Sequence, residues 1–141
     1  MRAREFVSES WHWRNKNRVY DLLANAIDSG PFDGGCVVFA QALQKLYGGE
    51  IVVLTGTSTD GSAEQAQHAA LLLNGDIIDA DGPANPRAFA QRFQENELDH
   101  TGGKVTGYRP LRDGDLPDAP RDEQLATEIV KLLTSKGPAI A

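Results

Sequence analysis

The segment HAALLLNGDIIDADG, residues 68–82, constrains the fold of this chain more than any other feature. Asn74-Gly75 stands between two apolar runs, and this dipeptide is the one most favoured in two-residue hairpin turns. The pattern predicts that His68–Leu73 and Asp76–Asp81 are antiparallel neighbours in a sheet. A one-residue slip would move every apolar side chain to the other face, so the turn also fixes the register.

The predicted register brings acidic side chains towards a histidine. If Leu73 lies opposite Asp76, then Asp81 falls across from His68, and Asp79 lies one pair further along on the same face. Either carboxylate could therefore reach the imidazole. A different interpretation stays open, in which both aspartates only form the turn and His68 is a hydrogen-bonded edge residue.

The rest of the chain shows four helical patterns and further strands. The predicted class is therefore α+β, with N-terminal helices, a cysteine-bearing helix packed on an antiparallel sheet, and a C-terminal helix. Exposed connections are predicted at Thr55–Gln67 and Pro110–Pro120. The expected helices are 14–29, 36–47, one starting at Pro86 with Phe89, Ala90 and Phe93 facing inward, and one carrying Leu125, Ile129, Leu132 and Leu133; the strands are Glu50–Leu54 and Val105–Tyr108, beside the hairpin.

Length and composition indicate a globular protein. The chain has 141 residues, of which 40% are hydrophobic and 24% charged, so we expect residues 1–141 to form a single domain. Its longest apolar runs, such as Ala69–Leu73, are too short for a membrane span, and Met1–Glu9 lacks the core of a signal peptide. A lone cysteine fits a reducing compartment. We therefore expect a soluble, cytoplasmic protein without membrane contact.

The formal net charge of −6 argues against general nucleic-acid binding, which needs an excess of cations to neutralise phosphates. The first eighteen residues differ from the rest, because five arginines and lysines there outnumber two glutamates and are interleaved with Trp11 and Trp13. This segment is a candidate surface for a protein partner. The alternative is that its cations are solvated while its tryptophans cover the core.

Cys36 follows Gly34-Gly35 and opens a predicted helix. A helix N-terminus offers unpaired N–H groups and the positive end of the dipole, both of which stabilise a thiolate. Gly35 and the main-chain N–H of Cys36 are candidate donors to an oxyanion. The alternative is a buried structural cysteine, since free cysteine is among the most buried residue types.

The order of Cys36, His68 and a following aspartate resembles the papain-like superfamily, including NlpC-type peptidases and transglutaminase-like proteins. The resemblance covers residues 34–82, where a small polar turn and a helix-opening cysteine precede a histidine strand and a returning strand that ends in a polar residue. It implies a papain-like core in which Cys36 is the nucleophile and His68 its base. On this resemblance Asp79, rather than Asp81, is the residue that orients the histidine.

This resemblance implies a cysteine-dependent hydrolase or acyl transferase that acts on an amide, peptide or ester bond of a peptide or small molecule and needs no cofactor. Gln67, beside His68, is a positional candidate for substrate contacts. One alternative is a non-catalytic papain-like binding or inhibitory module of bacterial or phage origin that uses the N-terminal segment. Another is a zinc site formed by Cys36, His68 and an aspartate, although the paired spacing typical of zinc ligands is absent from the sequence.

Overall fold

A computed structural model of the chain describes residues 12–57 and 64–134, without the side chains of residues 12–16 and His100. It confirms the α+β class, with four α-helices and a five-stranded antiparallel sheet within the described ranges. The elements are α1 (His12–Ile27), α2 (Cys36–Tyr47), β1 (Glu50–Thr57), β2 (Gln65–Leu73), β3 (Asp76–Asp79), β4 (Gly82–Ala84), α3 (Pro86–Phe93), β5 (Lys104–Pro110) and α4 (Glu123–Thr134).

The hairpin between β2 and β3 forms as the sequence predicts. Asn74 and Gly75 have φ angles of 51° and 85°, which a two-residue turn of this type requires. Leu73 pairs with Asp76, and pairing continues to Leu71 and Ile78. The strands of the sheet follow the order β4-β3-β2-β1-β5.

The predicted strand Asp76–Asp81 is too long. β3 ends at Asp79, and the chain reverses through Ala80 and Asp81 so that Asp79 pairs with Gly82 of β4. Asp81 is therefore a turn residue and does not lie across from His68 in the sheet, as the simple register required. The reversal also leaves β2 without a β3 partner before Leu71, so the edge of the sheet is open beside His68.

The predicted loop Thr55–Gln67 is too long at both ends. β1 continues to Thr57 and β2 begins at Gln65, so both strands extend into this polar stretch. His68 pairs with Leu54 while Ala66 pairs with Thr55, which leaves Gln67 as an extra residue on β2. Bulges of this kind bend a strand and redirect its side chains. Here the bulge allows Ala66 and Ala69 to pack in the same apolar cluster.

Helices cover both faces of the sheet. On one face α1, α2 and α4 pack together through an apolar core that includes Leu23, Leu43 and Ile129. On the other face α3 packs Phe89 and Phe93 against β-strand residues, with Asn85 capping the helix through a hydrogen bond from the Ala88 N–H. A third cluster holds Cys36, Val37, Ala40, Val53, Ala69 and Ala119 at the N-terminal end of α2.

Most of the basic and aromatic N-terminal segment lies outside the described residues. Of residues 1–18, the side chains of Asn17 and Arg18 alone are described, so the predicted partner surface with Trp11 and Trp13 stays a prediction. Among the helices that the structure does describe, none has the length and apolar character that crossing a membrane requires.

Candidate functional site

The turn at residues 31–35 places Cys36 at the first position of α2, and the thiol residue is only 3% exposed. Gly35 is the N-cap, and a Cβ on it would lie 2.7 Å from the Gly30 carbonyl oxygen and 3.1 Å from Leu23 Cδ1. Any larger residue would therefore displace the turn from α1. The glycine before the cysteine has a steric reason for its position.

His68 lies on β2 where the neighbouring strand β3 has already turned away. His68 is fully buried, and its ring stacks nearly parallel to the rings of three phenylalanines. The ring centroids are 5.3 Å from Phe32, 4.9 Å from Phe93 and 6.4 Å from Phe89. Phe32 precedes α2 and the other two belong to α3, so residues from both sides of the sheet meet at this open edge.

Asp79 holds one nitrogen of that ring. His68 Nε2 and Asp79 Oδ2 are 2.9 Å apart, and both side chains are almost completely buried. The other carboxylate oxygen, Oδ1, accepts hydrogen bonds from the main-chain N–H of Asp81 at 2.8 Å and from Arg92 Nη2 at 3.2 Å. Three donors therefore fix the position of this buried carboxylate.

Within the described residues, the second ring nitrogen of His68, Nδ1, is buried and has no hydrogen-bond partner. The Cys36 thiol is nonetheless close enough to influence the ring. Burial alone would lower the pKa of His68, but interactions with Asp79 and Cys36 outweigh it and raise the pKa to about 9. The effect of Cys36 on this pKa indicates that the thiol lies near the imidazole.

Of the two candidate aspartates, Asp79 contacts the imidazole through its side chain, whereas Asp81 contributes its main-chain N–H to Asp79. The two carboxylates thus have different surroundings. Both carboxylates also affect Tyr20. Burial makes the largest contribution to raising the pKa of its hydroxyl, and the charges of Asp81 and Asp79 raise it further. The structure pairs His68 with Asp79, has Cys36 near enough to raise the pKa of the ring, and gives Asp81 a supporting position.

The two main-chain N–H groups predicted to bind an oxyanion both donate hydrogen bonds within the turn before α2. The N–H of Gly35 donates to the Gly30 carbonyl at 2.9 Å, and that of Cys36 donates to the Asp33 carbonyl at 3.4 Å. The second of these bonds is long, so the Cys36 N–H is the easier donor to redirect. Gln67 occupies the bulge with its Cγ near Gly56.

A cavity of about 600 Å³ shares wall residues with the apolar cluster around Cys36, but neither Cys36 nor His68 is among its described lining residues. Ala66, Leu116 and Ala119 line it and also belong to the apolar cluster around Cys36. Gly34, two residues before Cys36, lines it as well. Glu64, just before β2, and Gln65 and Ala66 of β2 also line the cavity, whereas Gln67 is not among its described lining residues. This volume is within the usual range of small-molecule sites.

Arg92 is the main site residue that the sequence did not reveal. Besides Asp79, it donates to the carbonyl oxygens of Gly82 at 2.7 Å and Asp81 at 3.4 Å, and its guanidinium lies 5.0 Å from the Phe89 ring centroid. It therefore ties α3 to the turn after β3. In the sequence, Arg92 stands three residues after Phe89 on a predicted helix. A solvated arginine with no role in a site often has the same spacing from an apolar residue.

The zinc interpretation gains no support from this geometry. Within residues 12–57 and 64–134, no group of three or more His, Cys, Asp or Glu side chains is arranged to hold a metal ion.

Comparison of the chain with protein-family models, with curated proteins and with solved structures finds no match.

Proposed function

We propose that this protein is a papain-like cysteine hydrolase or acyl transferase in which Cys36 is the nucleophile, His68 the acid–base group and Asp79 its orienting partner. One observation carries the proposal. His68 has one nitrogen bound to a buried carboxylate, its other nitrogen has no hydrogen-bond partner among the described residues, and Cys36 is near enough to raise the pKa of the ring. A structural histidine would be expected to have both nitrogens satisfied at such a buried position.

The electrostatics support the same assignment. With its pKa raised to about 9, His68 carries a proton at neutral pH. An imidazolium next to a thiol at a helix N-terminus stabilises the thiolate form, which is the reactive nucleophile. Asp79 offsets the cost of a buried positive ring, and Arg92 and the Asp81 N–H in turn hold Asp79.

The chemistry then follows in two steps. The Cys36 thiolate attacks an acyl carbon and forms a C–S bond, while the leaving amine or alcohol takes the proton from His68 as its bond to the acyl carbon breaks. Water or an amine next attacks the thioester, gives a proton to His68 and expels the thiolate. Water makes the protein a hydrolase, and an amine makes it a transferase.

Acyl transfer to the thiol tests the proposal. Incubation with p-nitrophenyl acetate should add one acetyl group to Cys36 in the intact-mass spectrum, together with a burst of p-nitrophenol. Cys36→Ala should show neither, and His68→Ala should lose most of the burst. Wild-type protein without an acetyl adduct on Cys36, or a folded His68→Ala variant with an undiminished burst, would contradict the proposal.

A non-catalytic papain-like module is the second candidate, and burial favours it. Cys36 is 3% exposed and His68 is fully buried, so the same three residues could act as a structural core element. In that case p-nitrophenyl acetate would leave Cys36 unmodified while Asp79→Ala would still destabilise the fold. The two candidate functions therefore predict different reactivity of Cys36 but the same loss of stability in Asp79→Ala.

A further inference from the structure

The candidate site is closed to solvent. Solvent reaches 3% of Cys36 and none of His68. The nearby cavity of about 600 Å³ has neither residue among its described lining residues. An acyl compound must therefore pass a covering side chain before its carbonyl carbon reaches the thiol.

Phe32 is the most exposed of the three phenylalanines that stack on His68. Phe89 and Phe93 are 1% and 6% exposed and belong to the apolar cluster beneath α3, whereas Phe32 is partly exposed. The Phe32 and His68 ring centroids are 5.3 Å apart, with an angle of 12° between the ring planes. Because the core does not enclose Phe32, its ring can leave the imidazole without opening that core.

The turn that carries Phe32 contacts both the cavity and the imidazole. Asp33 and Gly34 of this turn line the cavity, and the neighbouring Phe32 stacks on His68. Cys36 follows directly, at the first position of α2. Rotation of the Phe32 ring away from the imidazole would therefore open space beside His68, next to the wall of the cavity.

The main chain of this turn is held more firmly than the Phe32 ring. The N–H of Gly35 donates to the Gly30 carbonyl at 2.9 Å, and a Cβ on Gly34 would lie 3.1 Å from the Asp118 carbonyl oxygen. The Phe32 ring is held by stacking and by apolar packing against the core, which include no directional hydrogen bond. Rotation about χ1 of Phe32 is therefore the opening movement that disturbs the fold least.

We propose that Phe32 controls access to Cys36 and His68: its ring must rotate off the imidazole before a substrate reaches the thiol, so small acyl groups enter more readily than large ones. The proposal rests on the proposed thiol chemistry and adds the residue that determines which acyl groups enter. A small group needs a slight displacement of the ring, whereas a bulky group needs the ring to leave its stacked position. Phe32 is thus a specificity-determining residue.

Thiol reagents of two sizes test the proposal on the intact protein, because the chain contains a single cysteine. Cys36 is treated with N-methylmaleimide or with the bulkier N-phenylmaleimide, both uncharged. In each reaction the thiolate adds to one carbon of the C=C bond, and the other carbon takes a proton from solvent. Each rate is divided by that of the same reagent with 2-mercaptoethanol, which removes intrinsic differences between the reagents.

The normalised ratio of the methyl rate to the phenyl rate should be about 10 or more in the wild type. Phe32→Ala should speed the phenyl reagent most and lower the ratio to about 3 or less. Phe32→Leu should fall between the two, and it decides the outcome if Phe32→Ala does not fold. Leu132→Ala, the control, truncates a partly buried side chain that packs against the same core as Phe32 and should leave the ratio unchanged.

The outcomes separate this proposal from the proposed function. A wild-type ratio near one, or an unchanged ratio in a folded Phe32 variant, would overturn the control of access, while a His68-dependent rate with the methyl reagent would leave the thiol chemistry in place. An equal fall of the ratio in Leu132→Ala would also overturn it, because a loosened core would then explain the effect. If the methyl reagent does not label Cys36, or labels His68→Ala as fast as the wild type, the proposed function fails and the proposal fails with it.

Discussion

His68 Nε2 and Asp79 Oδ2 are 2.9 Å apart in a position where water has almost no access to either side chain. A buried charged pair is costly to form, but removing one partner costs more, because the other charge remains without compensation. This pair is therefore the part of the molecule where substitution and pH have the clearest consequences.

Protonation of His68 should make the stability of the fold depend on pH. The folded-state pKa, about 9, lies above the ordinary value of 6.5, so the folded protein holds this proton more tightly than the unfolded chain. The stabilisation should be fully present below pH 6.5 and be lost as the pH rises through about 9. Its size is on the order of 3 kcal/mol.

Urea denaturation at pH 6 and pH 9.5 measures this effect. The wild type should lose unfolding free energy between the two pH values, and His68→Gln, which cannot titrate at this position, should lose much less. An equal loss in both proteins would assign the pH dependence to other groups.

Asp79 and Asp81 should differ sharply in their effect on stability. Asp79→Ala leaves His68 without its buried partner and should cost about 3 to 5 kcal/mol. Asp81→Ala is the matched control, because Asp81 reaches the site through its main-chain N–H, which alanine retains, and should cost less than about 1 kcal/mol. Chemical denaturation of both variants checks the assignment. Similar costs for the two would contradict it.

Arg92 should support the site through Asp79. Its side chain is 28% exposed, so we expect Arg92→Met to cost about 1 kcal/mol in unfolding free energy and to slow reaction of Cys36. Arg92→Lys should restore little, because an ammonium group cannot reproduce the fork that joins Asp79 to Gly82. Arg87→Met changes an exposed arginine on the same helix and is the control; equal effects at both positions would exclude a specific role for Arg92.

Gly35 should tolerate no side chain. In Gly35→Ala the added methyl group would meet the Gly30 carbonyl oxygen at 2.7 Å, and relieving that contact must shift the turn that carries Cys36. We expect a cost of about 1 to 3 kcal/mol. Gly30→Ala is the control beside the same turn, since the nearest described atom to its methyl group would be Asp33 Oδ2, at 3.9 Å. Thermal melting of both variants should show a lower midpoint for Gly35→Ala alone.

Local signals in the sequence account for much of the fold. Asn74-Gly75 fixes a turn that depends on those two residues and their neighbours, and Asn85-Pro86 fixes the start of α3 in the same way. The start of α2 at Cys36 follows from the glycines before it and the apolar spacing after it. These features need no knowledge of distant contacts.

The rest of the site depends on contacts between distant segments. The register predicted Asp81 opposite His68, but the reversal at Ala80 and Asp81 ends β3 earlier and leaves the contact to Asp79. The Asp81-Gly82 dipeptide is itself a turn signal, but alone it does not decide whether the strand before it ends at Asp79 or at Asp81. Arg92 joins the site because α3 packs across that turn, and a partly exposed arginine on a helix carries no mark of such a role.

The coupling of Cys36 to His68 is tested most directly by the rate at which iodoacetamide alkylates the single cysteine at pH 6.5. Relative to a free cysteine derivative, the wild type should react quickly, and His68→Ala should react at least about tenfold more slowly. Asp79→Asn, which keeps the ring but weakens its orientation, should fall between them. Slow alkylation of the wild type, or the same rate in a folded His68→Ala protein, would show that the thiol and the imidazole do not act together.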